Sequence, residues 1–271
     1  IIININHGIP LKDRSRSDKN IEDTFDMVLA PSDFSADPVT RFWGCSREKA
    51  IICGFPRNDF LFSDSKSSAA GKLFSMKPND KYIICMPTFK KGNGRIDSNT
   101  NDPYSLGVIY TEDDLTKLND WLEKRDCHII VKLHPLQMLE ELQTVNLSNI
   151  HYLNNKVLFE KQVMLYELVG AASGLITDVS SILFDFLLLD RPIGFLMNNV
   201  ATYSRGFIFE KPGDYMPGEK IWNVNDLQTF VESAIAGEDN YAQERERLNA
   251  VFNEKRKTTY SKQFCDILFS L

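Results

Sequence analysis

ITDVSSILFDFLLLDRPIGF, residues 176–195, decides the fold. An apolar, strand-like end, SGLI, runs into the polar residues Thr177, Asp178, Ser180 and Ser181. The apolar run ILFDFLLL follows, long enough for about two helical turns. Asp190-Arg191-Pro192 ends it, because proline cannot continue a helix, and a second apolar segment, IGFL, begins. Strand, polar turn, buried helix and strand make a βαβ unit. The turn sets hydroxyls and N–H groups at a helix N-terminus, a natural seat for a phosphate. Ser180 or Asp178 could equally cap the helix, and the residues alone leave both readings open.

The rest of the chain repeats this alternation. Residues 1–6 read as a strand ending at His7-Gly8-Ile9-Pro10. Residues 27–30, 50–53, 81–89, 127–135 and 150–158 carry further strand signals. Helices are expected over 36–48, 111–125, 161–173, 225–236 and 240–270. Leu115, Leu118 and Leu122 recur at helical spacing, and Thr111 and Asp114 resemble a capping box. SDSKSSAAG, residues 63–71, has the composition of a polar linker at a domain boundary. Short apolar strands alternating with helices imply a doubly wound α/β architecture with parallel sheets. Such folds bind ligands at the C-terminal ends of their strands.

At 271 residues the chain can hold two domains, and 43% hydrophobic with 25% charged residues is ordinary for a globular protein. Its longest apolar run, 182–189, falls far short of the roughly 20 residues of a membrane span. A net charge of −6 argues against nucleic acid as a partner. Lys12, Arg14, Arg16 and Lys19 form one basic cluster and Lys90, Lys91 and Arg95 another. Either could steer a phosphorylated substrate or meet anionic lipid, although a solvated face is the commoner explanation. The five cysteines are widely spaced, without CxxC, and read as core residues of a reduced, cytoplasmic protein. The chain begins without Met inside a strand pattern, so further residues are expected to precede Ile1.

Two of the four histidines, His7 in HGIP and His134 in KLHP, stand before a turn at a strand end. Histidine there meets the ligand crevice and titrates near neutral pH, which suits a general base or a phosphate contact. A histidine bonding a loop carbonyl is the plainer alternative for either one. His128 and His151 lack the context and are assigned no role. GxxxxGK[ST], GxGxxG and GxSxG are all absent, which removes the P-loop, dinucleotide and α/β-hydrolase readings. No spaced ligand cluster demands a metal, so no cofactor is required, with a divalent metal left open.

HGIPLK, GFPRND, MPTFK, KLHP, ITDVSSILFDFLLLDRPIGF and YSRGFIF occur in order over residues 7–209. In that order and spacing they resemble the CDP-glycerol glycerophosphotransferases, the teichoic-acid primases and polymerases. The resemblance covers about residues 1–235. It implies a GT-B fold, two Rossmann-like domains facing a cleft. Residues 1–65 would be the C-terminal part of an acceptor-side domain, incomplete in this chain. Residues 72–239 would bind the CDP donor, and 240–271 would form a C-terminal helix crossing back to the first domain.

The implied activity is transfer of glycerol phosphate, or a related alditol phosphate, from a CDP-alditol to a hydroxyl of a polymer or primer, releasing CMP. On the matching positions, the resemblance makes His7 the base and His134 its partner at the donor. Thr177, Ser180, Ser181 and Arg205 would form the diphosphate site. Lys12, Arg57 and Asp178 are further candidates for substrate binding. A lipid-linked acceptor would place the protein peripherally at the inner membrane face. Ile9, Val179 and Lys132 depart from the family's usual Thr, Tyr and Arg, and MPTFK lacks the usual Trp, which leaves alditol and acceptor open. A nucleotide-sugar glycosyltransferase or epimerase, and a non-catalytic module of a polymer-assembly complex, are the competing readings.

Overall fold

The computed structural model describes residues 1–11, 24–74, 76–77, 80–88, 102–133, 147–201, 206–253 and 259–270. Two parallel sheets carry the fold. β1 (Ile3–Asn4), β2 (Met27–Ala30) and β3 (Ala50–Ile52) pair in that order as a three-stranded sheet. Helix α1 (Asp33–Trp43) follows β2, and Ser32 caps it by accepting a hydrogen bond from the Ser35 N–H.

The second sheet has six strands: β4 (Lys81–Cys85), β5 (Cys127–Lys132), β6 (Ile150–Leu153), β7 (Gly174–Thr177), β8 (Ile193–Leu196) and β9 (Glu219–Ile221). Their spatial order is β6-β5-β4-β7-β8-β9, all parallel. The chain therefore winds outward from the centre in both directions, and β4 beside β7 is the point where it reverses. All four residues of β7 and of β8 are buried, as expected for strands covered on both faces.

The helices are α2 (Lys66–Phe74), α3 (Glu112–Glu123), α4 (Asn155–Glu160), α5 (Leu165–Ala171), α6 (Ile182–Phe186), α7 (Met197–Ala201), α8 (Val224–Ala236), α9 (Ala242–Phe252) and α10 (Tyr260–Leu268). A 3₁₀ turn, Leu187–Leu189, extends α6. Most of the stretch read as a polar linker is helix α2. Ala69 and Ala70 are buried in the core, and the serines that gave it a linker's composition are not. The single helix expected over 240–270 is two. Asn253 leaves helical geometry and donates through Nδ2 to the Phe184 carbonyl at 2.9 Å, ending α9.

The two sheets share one apolar core. Ile9, Leu29, Phe55 and Leu61 cluster with Ile84, Leu175 and Phe184 of the larger sheet's layer and with Phe252 of α9. The C-terminal helices join this seam. Phe252 lies 5.2 Å from Phe34 and 4.3 Å from Phe184, ring centre to ring centre, and the Ser32 hydroxyl donates to the Val251 carbonyl at 2.7 Å. Asp59 accepts from the first N–H groups of α10, those of Tyr260 and Ser261, at 2.8 Å each. Gly54 is required below the Tyr260 ring, since a Cβ there would stand 2.2 Å from two ring carbons. Among the described residues no helix is long and apolar enough to cross a membrane.

Truncating the fully buried Phe252 removes an aromatic wedge between both units. Phe252→Ala should cost about 3–5 kcal/mol in urea unfolding.

His128 and His151 pair on neighbouring strands, Nδ1 to Nε2 at 3.1 Å, with Phe74 stacked on His151 at 4.6 Å. Burial, then the neighbouring His128, pushes His151 down to about 4. Burial also lowers His128, against the opposing pull of Asp80 at 3.4 Å. Unfolded, each histidine returns to about 6.5, so the unfolded chain binds these protons more readily. Stability from the pair is complete above pH 6.5 and falls as pH drops toward 4. The urea midpoint should therefore fall between pH 7 and 5, and His151→Phe should flatten that slope.

Candidate functional site

The crevice lies where β4 and β7 end side by side. The Asp178 carboxylate, 1% exposed, ties the two ends together. It accepts from the Thr88 N–H at 2.9 Å to both oxygens and from the Thr88 hydroxyl at 2.7 Å. The Val179 N–H at 2.6 Å and Asn199 Nδ2 at 3.3 Å complete its shell. Thr177, fully buried, donates its hydroxyl to the Met86 carbonyl at 3.0 Å. Both residues are thus engaged within the protein, and they shape the turn from behind.

Ser180 and Ser181 differ. Both are partly exposed, and among the described residues neither hydroxyl has a hydrogen-bond partner. Ser181 occupies the cap position of α6 without using its side chain as a cap. The N–H groups of Leu183 and Phe184, in the first turn of α6, donate to the Ser180 and Ser181 carbonyls at 3.3 and 3.2 Å. Two serine hydroxyls therefore stand at the mouth of the crevice. The helix behind them, Ile182–Phe186, is too short to carry a long dipole.

The HGIP loop arrives from the smaller sheet. Asn6 turns through a left-handed φ of 53°, and its side-chain oxygen accepts from the His7 N–H at 2.7 Å. Asn6 Nδ2 is buried beside it without a hydrogen-bond partner among the described residues. His7 is exposed, its ring edging Phe42 at 6.1 Å and Trp43 at 6.4 Å at the end of α1. Gly8, at φ 144°, packs against Ser181, whose Oγ lies 2.7 Å and Cβ 2.8 Å from where a Cβ on Gly8 would sit. HGIP and TDVSS therefore meet, with His7 one residue from the contact. Further along, the Leu11 carbonyl accepts from the Ile208 N–H at 2.9 Å, joining HGIPL to the RGFIF segment, and Arg41 donates to the Ile208 carbonyl.

Arg57 sits behind this contact. Its Nε donates to the Tyr166 hydroxyl at 2.7 Å, Nη1 to the Asn6 carbonyl at 3.2 Å and Nη2 to Asp185 at 3.0 Å. Burial pulls the guanidinium's pKa down, but Asp185 and Tyr166 outweigh it and leave it raised, so the group stays cationic. Each of its three nitrogens thus has a partner within the protein.

Of the residues singled out in the sequence, His7, Arg57, Thr177, Asp178, Ser180 and Ser181 converge here. Lys12, His134 and Arg205 lie outside the described residues. Sequence reasoning passed over Thr88, Asn199, Tyr166 and Asp185. Asp185 had left a signal, as a lone carboxylate in an apolar run needs buried donors. Lys132 gains interest too. It ends β5, is 7% exposed, donates to the Leu133 carbonyl at 2.8 Å, and burial draws its pKa down to about 8. Among the described residues no group of three or more His, Cys, Asp or Glu side chains is placed to hold a metal ion.

Residues 1–270 match the family model of CDP-glycerol:poly(glycerophosphate) glycerophosphotransferase. The chain belongs to this family. Similar glycerophosphotransferase-family proteins include the teichoic acid poly(ribitol-phosphate) polymerase of Bacillus spizizenii, 27% identical over 81% of this chain and 36% of that protein. The teichoic acid glycerol-phosphate primase of Bacillus subtilis is 24% identical over 78% of this chain and 51% of its own length. The teichoic acid glycerol-phosphate transferase of Staphylococcus aureus is 25% identical over 97% and 69%. The chain thus spans about a third to a half of the first two relatives. The fold is that of the wall teichoic acid polymerase TagF, with a TM-score of 0.71 at 19% identity over 99% of this chain and 67% of that one. A TagF variant soaked with CDPG gives a TM-score of 0.73 at 19% identity, over 99% and 66%.

Gly8→Ala should destabilise the chain by forcing Ser181 aside on top of the strained φ. Gly44→Ala, at φ 66° with open space around its Cβ, carries only the backbone strain. Thermal melts should show the larger loss for Gly8→Ala.

Proposed function

We propose that this chain transfers an alditol phosphate from a CDP-alditol to a hydroxyl of a teichoic-acid-like polymer or primer, with release of CMP. The observation that carries the reading is the packing of Gly8 on Ser181. It brings the loop of an exposed imidazole against a turn whose two serine hydroxyls have no hydrogen-bond partner among the described residues. His7 accepts the proton of the acceptor hydroxyl, and the hydroxyl oxygen bonds to the alditol-bearing phosphorus. The bridging P–O bond then breaks, its electron pair leaving with CMP. Ser180 and Ser181 hold the donor phosphates through their hydroxyls as charge builds on the leaving group. Thr177 and Asp178 keep that turn in shape. His134 and Arg205 are assigned to the donor side through their motifs, and Lys12 to substrate approach.

Family membership supports this chemistry, and the solved TagF variant soaked with CDPG supports a CDP-glycerol donor. Relatives named as polymerases and primases favour a growing polymer or primer as acceptor. A lipid-linked acceptor would bring the protein to the inner membrane face.

The test is CMP release from CDP-glycerol and CDP-ribitol in the presence of a polymer primer. His7→Ala should lower kcat at least about 100-fold, the usual scale for a lost general base. Ser181→Ala should raise the KM for the donor, and calorimetry should show CMP binding more tightly than UMP. Unchanged turnover by His7→Ala, or preference for the uridine nucleotide, would overturn the reading.

A further inference from the structure

The buried polar cluster behind the crevice joins elements that are far apart in sequence. Asp185, on α6 and 2% exposed, accepts from Arg57 Nη2 at 3.0 Å, the Tyr166 hydroxyl at 2.5 Å and Asn58 Nδ2 at 3.1 Å. Arg57 and Asn58 stand in the 3₁₀ turn Pro56–Phe62, Tyr166 on α5. The guanidinium carbon lies over the Phe55 ring, 4.1 Å from its centre, a cation–π contact that holds it further. Its third bond goes to the carbonyl of Asn6, the residue directly before His7. One rigid fork therefore grips the His7 loop with Nη1 and the helix carrying Ser181 with Nη2.

We propose that Arg57, held by Asp185 and Tyr166, is a positioning residue that sets the distance between His7 and the Ser180–Ser181 turn. It acts through His7 and the turn and is not a contact to the donor phosphate. This rests on the function proposed above. The physical case is that all three guanidinium nitrogens are already directed at fixed protein partners in a planar, charged geometry. A lysine has only a point charge and cannot reproduce that geometry. A displacement of about 1 Å between base and donor is enough to cost about 100-fold in rate, so a fork spanning the two is placed where precision matters.

The test compares Tyr166→Phe, Arg57→Lys and Arg57→Ala with wild type in steady-state CMP release. Tyr166→Phe keeps the packing of the ring and is the variant to rely on if Arg57→Ala does not fold. We expect kcat to fall about threefold to tenfold in Tyr166→Phe and further in Arg57→Ala, with Arg57→Lys between. Donor KM and the Kd for CDP should stay within about twofold of wild type. In the His7→Ala background, Arg57→Ala should cost less than about twofold more, because the residue through which it acts is gone. A loss of folding stability alone would not produce that non-additivity. Hydrogen exchange of the amides of His7, Gly8, Ile9 and Leu11 should quicken in Tyr166→Phe.

A rise in donor KM with kcat preserved would show Arg57 touching the donor and overturn the proposal. Wild-type kcat in both Tyr166→Phe and Arg57→Lys would do the same. If wild type releases no CMP from any CDP-alditol, the functional reading fails. The exchange arm then judges the clamp, and unchanged exchange of those amides refutes it.

Discussion

The buried carboxylate of Asp178 is the interaction on which the crevice depends. An ionised group taken out of water must recover its hydration from the protein, or its burial destabilises the fold. Here the recovery comes from two backbone N–H groups, a hydroxyl and an amide, the first N–H and the hydroxyl both from Thr88 on the neighbouring strand end. The bonds therefore satisfy the charge and fasten β4 to β7 at the reversal point of the sheet. The Leu183 and Phe184 N–H groups of α6 donate to the Ser180 and Ser181 carbonyls, so neither serine hydroxyl serves as a cap.

The join between the two sheets is of a different kind from a mobile domain interface. Interfaces that allow domain motion tend to be modest in area and polar. Here apolar residues from the HGIP loop, from β2 and from the turn after β3 belong to the same cluster as the central strands of the larger sheet. Polar groups within the seam, such as Asp185 and Asn58, bond across it. A site assembled on such a seam inherits its precision from packing, with the His7 loop and the Ser181 turn held against one another.

The sequence displayed much of this fold because fully buried parallel strands leave uninterrupted apolar runs. IICG, KYIIC, HIIVK, GLIT and IGFL are all visible by eye. The polar turn after β7 was legible for the same reason, since TDVSS is a polar interruption between two such runs. Helix α2 was hidden because serine and lysine on its exposed face imitate a linker, and only Ala69 and Ala70 reveal the buried side. The division between α9 and α10 depends on Asn253 reaching Phe184, 69 positions away, which no local pattern encodes. The same limit explains the site. His7 and Ser181 could each be suspected from a strand-end context, but their adjacency comes from Gly8 lying against Ser181. The partners of Arg57 are set by three separate elements, which its motif alone could not display.

The contacts made by α10 bear on how the protein can be produced. Asp59 and Tyr260 are 201 positions apart, and Ser32 and Val251 are 219 apart. Contacts of such range form late, because closing the intervening loop must precede any return from the bond. While residues 242–270 are still being synthesised, the Gly54 groove lacks its tyrosine and the Phe34 face lacks Phe252. The smaller sheet then carries exposed apolar surface. A growing chain would hold its second sheet nearly complete while the first awaits its cover, so the nascent protein is a natural client for chaperones until α10 has docked.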